Sequence, residues 1–249
     1  MKENQTPKLK NAVKTHPLYK LNAFGKSFAL SLGREIIYLL ATRGEPRLEG
    51  NDWEEIFARC IGAKWTPSNI GLDDVSLEKH SMTWGAKTIK NHNPFDVETV
   101  RLICGRNSPD YSFSVRNVHE IPQDDLGTKI LQIWNKRVEG VRTRFSNVRT
   151  VVLIKGDDLS EISVYEEDTL LFIPAEYKWQ WNDRGNLEGH EKNSKRHRFT
   201  WQPHGSQFTV ISDVPQNRLK LRIKTPPRVR QKDVFNSIGY EDSWIEIVK

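Results

Sequence analysis

The chain has 249 residues, of which 37% are hydrophobic, and its 38 Lys and Arg residues against 32 Asp and Glu residues give a net charge of +6. This length and apolar content suffice to bury a core in one domain, and the basic balance favours a polyanionic partner. With only Cys60 and Cys104, and with no apolar run as long as a signal peptide or a membrane span, the sequence argues against a disulfide framework, a structural zinc site and a membrane partner, and it predicts a soluble cytoplasmic protein.

The first half of the chain predicts helices followed by strands. Residues 1 to about 20 are polar and basic, and we expect a mobile arm there. Apolar spacing predicts a largely buried helix over residues 24–43, and a second helix that is capped by Asn51 or Asp52 and ends near Gly62. Three extended runs follow, with turns typical of an antiparallel meander. They span residues 69–77, 81–90 and 97–103.

A helix over residues 126–145 and a strand over residues 149–154, buried on both sides, complete the order helix, three strands, helix, strand. The rest of the chain is rich in strand signals, with a turn at residues 182–186. These signals lie at residues 163–164, 170–173, 177–181, 197–201, 207–211 and 219–223. Because no repeat or linker separates the halves, we predict a single domain over residues 1–249, in which residues 156–249 extend the same sheet and add a recognition lobe.

The segment IGLDDVSLEKHSMTWGAKTIK carries the most informative chemistry. Asp73 and Asp74 stand at the head of one predicted strand, and Lys87 lies inside the next, 14 and 13 positions later. Carboxylates on adjacent strands can hold a hard divalent cation, and a nearby ammonium can orient water or stabilise charge on phosphate. The pattern is typical of metal-dependent phosphodiester cleavage.

This order and spacing resemble the PD-(D/E)xK nuclease superfamily, to which most type II restriction endonucleases belong, chiefly over residues 50–155. The resemblance implies an α/β (α+β) fold, with a restriction-endonuclease-like mixed central sheet flanked by helices over residues 24–155 and a β-rich recognition extension over residues 156–249. It implies that Asp74 is a metal ligand, because Val75 resembles the apolar residue that follows this aspartate in the family. Asp73 stays a rival, since alternation sends the two side chains to opposite faces of a strand.

One position departs from the family pattern, because Gly85 stands where the family usually has an acid two residues before the lysine. Glu54 resembles the helical glutamate that precedes the catalytic aspartate in many members, with Glu55 and Glu98 ranked below it. The resemblance then implies that Asp74 and Glu54 hold one or two Mg²⁺ ions, with Mn²⁺ as a substitute, and that Lys87 positions or helps to deprotonate the attacking water. It also implies products with a 5′-phosphate and a 3′-hydroxyl.

Each of these residues also has an ordinary structural interpretation. An Asp-Asp pair is typical of a solvated turn, a glutamate at a helix start complements the helix dipole, and a strand lysine is commonly exposed. Their joint order along the chain favours the nuclease over these readings.

Two basic regions are candidates for DNA contacts. Alternation puts Arg218, Lys220, Arg222 and Lys224 on one face of a strand, as a phosphate track or as a guarded sheet edge. Two further segments, which contain Trp179, Trp181 and Trp201, are candidate base-reading hairpins. The three tryptophans themselves are more typical of packing in the core. The candidate residues of these segments are Arg184, Asn186, Arg198, Gln202, His204 and Gln207. Arg106 and Asn107 could contact the DNA backbone or simply form a turn, and the seven histidines show no metal-binding spacing.

The resulting expectation is a Mg²⁺-dependent, sequence-specific endonuclease that cuts double-stranded DNA, as type II restriction enzymes do. If its site is a palindrome, a homodimer is expected, and restriction biology adds a cognate DNA methyltransferase as a partner in function. Two alternatives stay open. One is a DNA-binding protein of the same fold that has lost the metal site, and the other is a repair nuclease for structured or damaged DNA.

Overall fold

The protein is a mixed α/β structure with two β-sheets and several helices, as the sequence predicts at this level. The computed structural model describes residues 17, 19–66 and 71–248, so the predicted arm lies almost entirely outside the described residues. In that part of the chain the α-helices are α1 (Lys26–Arg43), α2 (Gly50–Ile61), α3 (Gln123–Arg142) and α4 (Gln231–Ile238). None of the described helices is both long and apolar enough to cross a membrane.

The strands divide between the two sheets without following chain order. The first sheet has the order β1-β2-β3-β5-β6-β11, and the second has the order β4-β10-β9-β8-β7. The strands of the first sheet are β1 (Lys64–Trp65), β2 (Val75–Leu77), β3 (Met82–Lys90), β5 (Asn147–Lys155), β6 (Glu161–Asp168) and β11 (Leu219–Arg222). Those of the second are β4 (Thr99–Arg106), β7 (Tyr177–Trp181), β8 (Leu187–Glu191), β9 (His197–Gln202) and β10 (Gln207–Asp213).

The two N-terminal helices end where the sequence predicts. Gly44 and Gly62 follow α1 and α2 in the left-handed conformation, with φ of 78° and 64°, which glycine adopts without steric cost. The predicted cap of α2 is wrong, because Glu49 is the N-cap and Asp52 is the third helical residue of a capping box. The Asp52 carboxylate accepts a hydrogen bond of 2.7 Å from the Glu49 backbone N–H.

β3 and β5 form the centre of the first sheet and run parallel, with α3 in the connection between them. The other pairs in this sheet are antiparallel. β5 is buried along almost its whole length, as predicted for residues 149–154. Such a strand needs cover on both faces of its sheet, because its side chains on both faces are apolar.

The predicted meander is wrong in its third strand. β2 and β3 pair antiparallel as expected, but β4 leaves the first sheet and pairs with β10 in the second. On β4 only alternate side chains are buried, namely Val100, Leu102 and Cys104. A strand of this pattern suits a sheet with one covered face, whereas the place beside β3 requires a strand that is apolar on both faces.

Two hydrophobic cores lie on opposite faces of the first sheet. One contains α1 and α2, and the other contains α3 and the inner face of the second sheet. β5 contributes to both, with Val151 and Leu153 in the first core and Val152 and Ile154 in the second. The second sheet therefore packs into the same core as α3.

Several C-terminal predictions need correction or addition. Residues 170–173 form no strand, because Trp134 and Asn135 of α3 hold their backbone: Trp134 Nε1 donates to the Leu170 carbonyl at 2.9 Å, and the Asn135 side chain bonds both the N–H and the carbonyl of Phe172. The sequence did not predict β1, β8 or α4. The turn at residues 182–186 is confirmed, and so is the packing role of Trp179 and Trp201, which are fully buried.

Candidate active site

Asp74 directly precedes β2 and points into the protein. Its side chain is only 2% exposed, and Oδ2 accepts a hydrogen bond of 3.0 Å from the backbone N–H of Ala86. The antiparallel pairing of β2 with β3 brings these two residues side by side. The carboxylate is therefore fixed one residue away from Lys87 along β3.

Lys87 is half-buried on β3, and its ammonium is held in place. Nζ donates a hydrogen bond of 2.9 Å to the carbonyl of Gly71, which lies just before the two aspartates. The ammonium also acts on the thiol of Cys104 in β4: burial raises the pKa of that thiol to about 12, and the positive charge of Lys87 opposes the shift. Lys87 is thus bonded to the segment that carries Asp74.

Glu54 of α2 completes the group. The side chain is half-buried, and Oε2 accepts a hydrogen bond of 3.0 Å from the indole of Trp65 in β1. Burial raises the pKa of the Glu54 carboxyl, and the negative charge of Asp74 raises it further, while the Trp65 hydrogen bond and the charge of Lys87 lower it. The charges of Asp74 and Lys87 therefore both act on Glu54 at one end of the β2–β3 pair.

The other acidic candidates lie elsewhere. Asp73 forms an ion pair with Arg144, just after α3, and its Oδ1 is buried without a hydrogen-bond partner among the described residues. Glu55 pairs with Arg59 one helical turn away, at 2.5 Å. Glu98 is exposed just before β4. The two neighbouring aspartates thus have different partners: Asp73 pairs with Arg144, whereas the charge of Asp74 acts on Glu54.

Gly85 has a steric reason to lack a side chain. A Cβ at this position would lie 2.6 Å from the carbonyl oxygen of Gly71 and 3.1 Å from the Cα of Leu72. Both contacts are with backbone, which cannot move aside as the end of a flexible side chain can. The close approach of β3 to residues 71–72 is also what lets Lys87 reach the Gly71 carbonyl, so it excludes an acid at position 85.

Replacing Gly85 by alanine is expected to lower the free energy of unfolding by about 1–3 kcal/mol, the usual cost of overpacking a buried site. The matched control is Gly33→Ala in α1, where an added Cβ meets no atom within 4 Å. There the change should raise stability by about 0.5–1 kcal/mol, because alanine favours the helix. Urea unfolding of both variants measures the difference, and a Gly85→Ala protein as stable as the wild type would contradict the close packing at this position.

The donor set fits a hard divalent cation. Asp74 and Glu54 offer carboxylate oxygens, which Mg²⁺ and Mn²⁺ prefer, and the site is partly shielded from water. Two carboxylates close enough to raise the pKa of one of them repel each other. A bound cation would remove this repulsion, which the positive charge of Lys87 opposes.

The basic stripe on β11 differs from the prediction in one residue. Lys220, Arg222 and Lys224 are exposed, as expected, but Arg218 is only 6% exposed, and its guanidinium donates to the backbone carbonyls of Pro215 and Phe95. Arg218 therefore holds two loops together and is not presented to a ligand. The strand pairing places Lys220 and Arg222 on the same sheet face as Lys87. β11 is the third strand from β3 in this sheet, so the two strands are about 14 Å apart at about 4.8 Å per strand.

Five of the six candidate base-reading residues lie at one end of the second sheet, where the β7–β8 and β9–β10 turns are neighbours. Arg184 is exposed in the turn between β7 and β8, and the nearby Asn186 is half-buried. Gln202 and Gln207 face each other across β9 and β10, with exposed His204 in the turn between them. Arg198 is engaged at the other end of β9, where it donates to the Ile211 carbonyl at 2.8 Å. Arg198 therefore lies apart from the other five residues.

Arg106 and Asn107 follow β4 and have opposite exposures. Arg106 is exposed, whereas Asn107 is 1% exposed, with its backbone bonded to Ser206 and to the indole of Trp201. The structure therefore presents Arg106, but not Asn107, to a ligand.

Comparisons with protein-family models, with curated proteins and with solved structures found no match to this chain.

Sequence reasoning missed three residues that support the site. Gly71 accepts the hydrogen bond of Lys87, Trp65 holds Glu54, and Arg144 neutralises Asp73. Trp65 and Arg144 carry no motif of their own, because they act through partners distant in sequence. For Gly71 the residue type was a usable signal, because its positive φ of 66° in the structure is a conformation for which glycine is the default residue.

Proposed function

We propose that the protein is a Mg²⁺-dependent endonuclease for double-stranded DNA, of the type II restriction class and with a restriction-endonuclease-like fold. One observation carries the proposal: Glu54, Asp74 and Lys87, which come from a helix and two adjacent strands, interact electrostatically at one end of the β2–β3 pair. The parallel pairing of β3 with β5 through α3 further supports the fold.

Asp74 and Glu54 would hold the cation, with Mn²⁺ able to replace Mg²⁺. When bound, the ion would polarise the scissile phosphate and lower the pKa of a water molecule. Lys87 would orient that water or accept its proton, and its positive charge would stabilise the charge developing on phosphate. The Ala86 N–H, the Gly71 carbonyl and the Trp65 indole keep the three side chains in position.

The exposed cations on the sheet face that carries Lys87 would contact the DNA backbone. A homodimer is proposed for a palindromic site, together with a cognate methyltransferase that protects the cell's own DNA. Such an enzyme would act in the cytoplasm, where it meets DNA. The turns of the second sheet, with Arg184, Gln202, His204 and Gln207, would read bases.

Digestion of a plasmid of mixed sequence with purified protein and Mg²⁺ tests the proposal directly. Discrete fragments that disappear with a chelator are expected, and sequencing their ends would give the recognition site. An intact plasmid with a salt-sensitive mobility shift would instead indicate a DNA-binding protein without catalysis. Cleavage of only branched or lesion-bearing oligonucleotides would indicate a repair nuclease.

Removing two exposed cations of the stripe, Lys220→Ala with Lys224→Ala, is expected to weaken DNA binding equally for all sequences. Each lost phosphate contact should reduce the slope of log K against log salt by about 0.9, so the slope should fall by about 1.8 in magnitude. Binding titrations at several salt concentrations measure this. The matched control replaces exposed Lys26 and Arg34 of α1, and an equal fall in both double variants would show that only net charge matters.

A further inference from the structure

A glutamate and two histidines converge on the second sheet, away from the site already described. Glu188 and His190 lie on β8 and His197 on β9, and one potential ligand atom from each lies within 4.8 Å of the others. The two imidazole rings stack with their centroids 4.8 Å apart, and Glu188 Oε2 lies 3.9 Å from His190 Nε2. All three side chains are half-buried. The histidine spacing in the sequence did not predict this cluster.

Strand geometry explains why the three side chains share a face. Gly189, between the two β8 residues, faces the core, where an added Cβ would lie 2.9 Å from Phe199 and from Trp179. Glu188 and His190 therefore point to the opposite face. On β9, simple alternation would send His197 to the core with Phe199. A β-bulge inserts Arg198 as one extra residue, so that His197 pairs with His190 instead.

Glu188 and His197 are each held in place by a hydrogen bond to a residue outside the cluster. The side-chain amide of Asn182 donates to Glu188 Oε1 at 2.7 Å. The backbone carbonyl of Phe199 can only accept, so His197 Nε2 donates to it at 2.7 Å, and Nδ1 keeps its lone pair in that tautomer. Metal-binding histidines commonly donate their second ring N–H to a carbonyl or carboxylate, which fixes the tautomer and the ring orientation.

The geometry points to a binding site for a borderline transition-metal ion such as Zn²⁺, with Glu188, His190 and His197 as its ligands. Two imidazoles and one carboxylate suit Zn²⁺, whereas Mg²⁺ prefers oxygen ligands alone. The site is independent of the proposed nuclease activity and its cation. By joining β8 to β9, the ion would fix the strand that leads to Gln202 and His204.

The chemistry of the three side chains suits a dication. A neutral ring is the form that binds a metal ion. The Glu188 carboxylate supplies the negative charge that a dication needs.

Titration of the full-length, chelator-treated protein with Zn²⁺, followed by calorimetry, tests the site, and Co²⁺ absorption reports its coordination. We expect binding of one Zn²⁺ per chain that is weakened more than about 100-fold in His190→Ala and in His197→Ala, because even loss of an outer partner costs about 10–100-fold. Asn182→Ala should weaken binding by about 10-fold. His204→Ala, at an exposed histidine of the same sheet, is the matched control and should bind as the wild type does.

Asp74→Asn should also leave this Zn²⁺ binding unchanged, which separates the cluster from the candidate active site. If His190→Ala fails to fold, Glu188→Gln keeps the test open, since it preserves side-chain size and removes one ligand charge. The assignment is overturned if the wild type binds no Zn²⁺, or if the His190, His197 and Glu188 variants bind it as tightly as the wild type.

Discussion

Replacing Lys87 by alanine is expected to lower the rate of DNA cleavage by about 100-fold to 10,000-fold, the usual contribution of a group that transfers or orients a proton in the transition state. The affinity for DNA should stay almost unchanged, because one half-buried cation among many basic residues is lost. Single-turnover cleavage and a binding titration, performed on the same preparation, measure the two effects separately.

Lys90→Ala is the matched control for this experiment. Lys90 ends the same strand but is exposed and pairs with Asp157 at 2.7 Å, so its loss should change the rate little. Cleavage by Lys87→Ala at the wild-type rate would remove the lysine from the proposed mechanism. Equal losses in both variants would point to a general effect of charge on DNA binding.

Asp74→Asn is expected to abolish metal-dependent cleavage, whereas Asp73→Asn should reduce it by less than about 10-fold. A metal ion contributes several kcal/mol to transition-state stabilisation. Because about 1.4 kcal/mol corresponds to a factor of ten in rate, loss of the main metal ligand should lower the cleavage rate by more than about 100-fold. Asp73 is paired with Arg144, so its replacement is not expected to remove a metal ligand.

At position 74, asparagine keeps an oxygen that can accept the hydrogen bond from Ala86, and at position 73 it keeps one that can accept from Arg144, so the fold should survive in both variants. Cleavage rates at increasing Mg²⁺ concentration, together with thermal unfolding, distinguish a lost ligand from a lost structure. A larger defect in Asp73→Asn than in Asp74→Asn would reverse the assignment of the two aspartates. Equal and mild defects would remove both from the metal site.

Local sequence patterns predicted many of the helices and strands. The pairing of strands that are distant in sequence could not be predicted in this way. The helices before residue 62 and the buried strand β5 follow directly from apolar spacing and glycine signals. The departure of β4 to the second sheet does not, because its pairing with β10 joins residues about a hundred positions apart. β8 was missed because Gly189 and the polar residues beside it obscure the strand signal, although Gly189 is required by the packing of Trp179.

The candidate site was predictable in its residue types but not in its details. The order of Glu54, Asp74 and Lys87 along the chain is visible in the sequence, and the structure brings the three together. The partner of each aspartate could not be read from the sequence, because it depends on the position of Arg144 after the end of α3. Likewise, one extra residue in β9 decides which way His197 points, and alternation alone gives the opposite answer.

The sharing of the first sheet between both halves of the chain limits how the protein can be divided. β6 and β11 lie after residue 155, yet they cover the outer side of β5. A fragment that stopped at residue 155 would retain Glu54, Asp74 and Lys87. It would, however, make β5 a hydrophobic edge strand, which is prone to aggregation. Transplanting the candidate active site onto a DNA-binding protein would therefore require the whole six-stranded sheet.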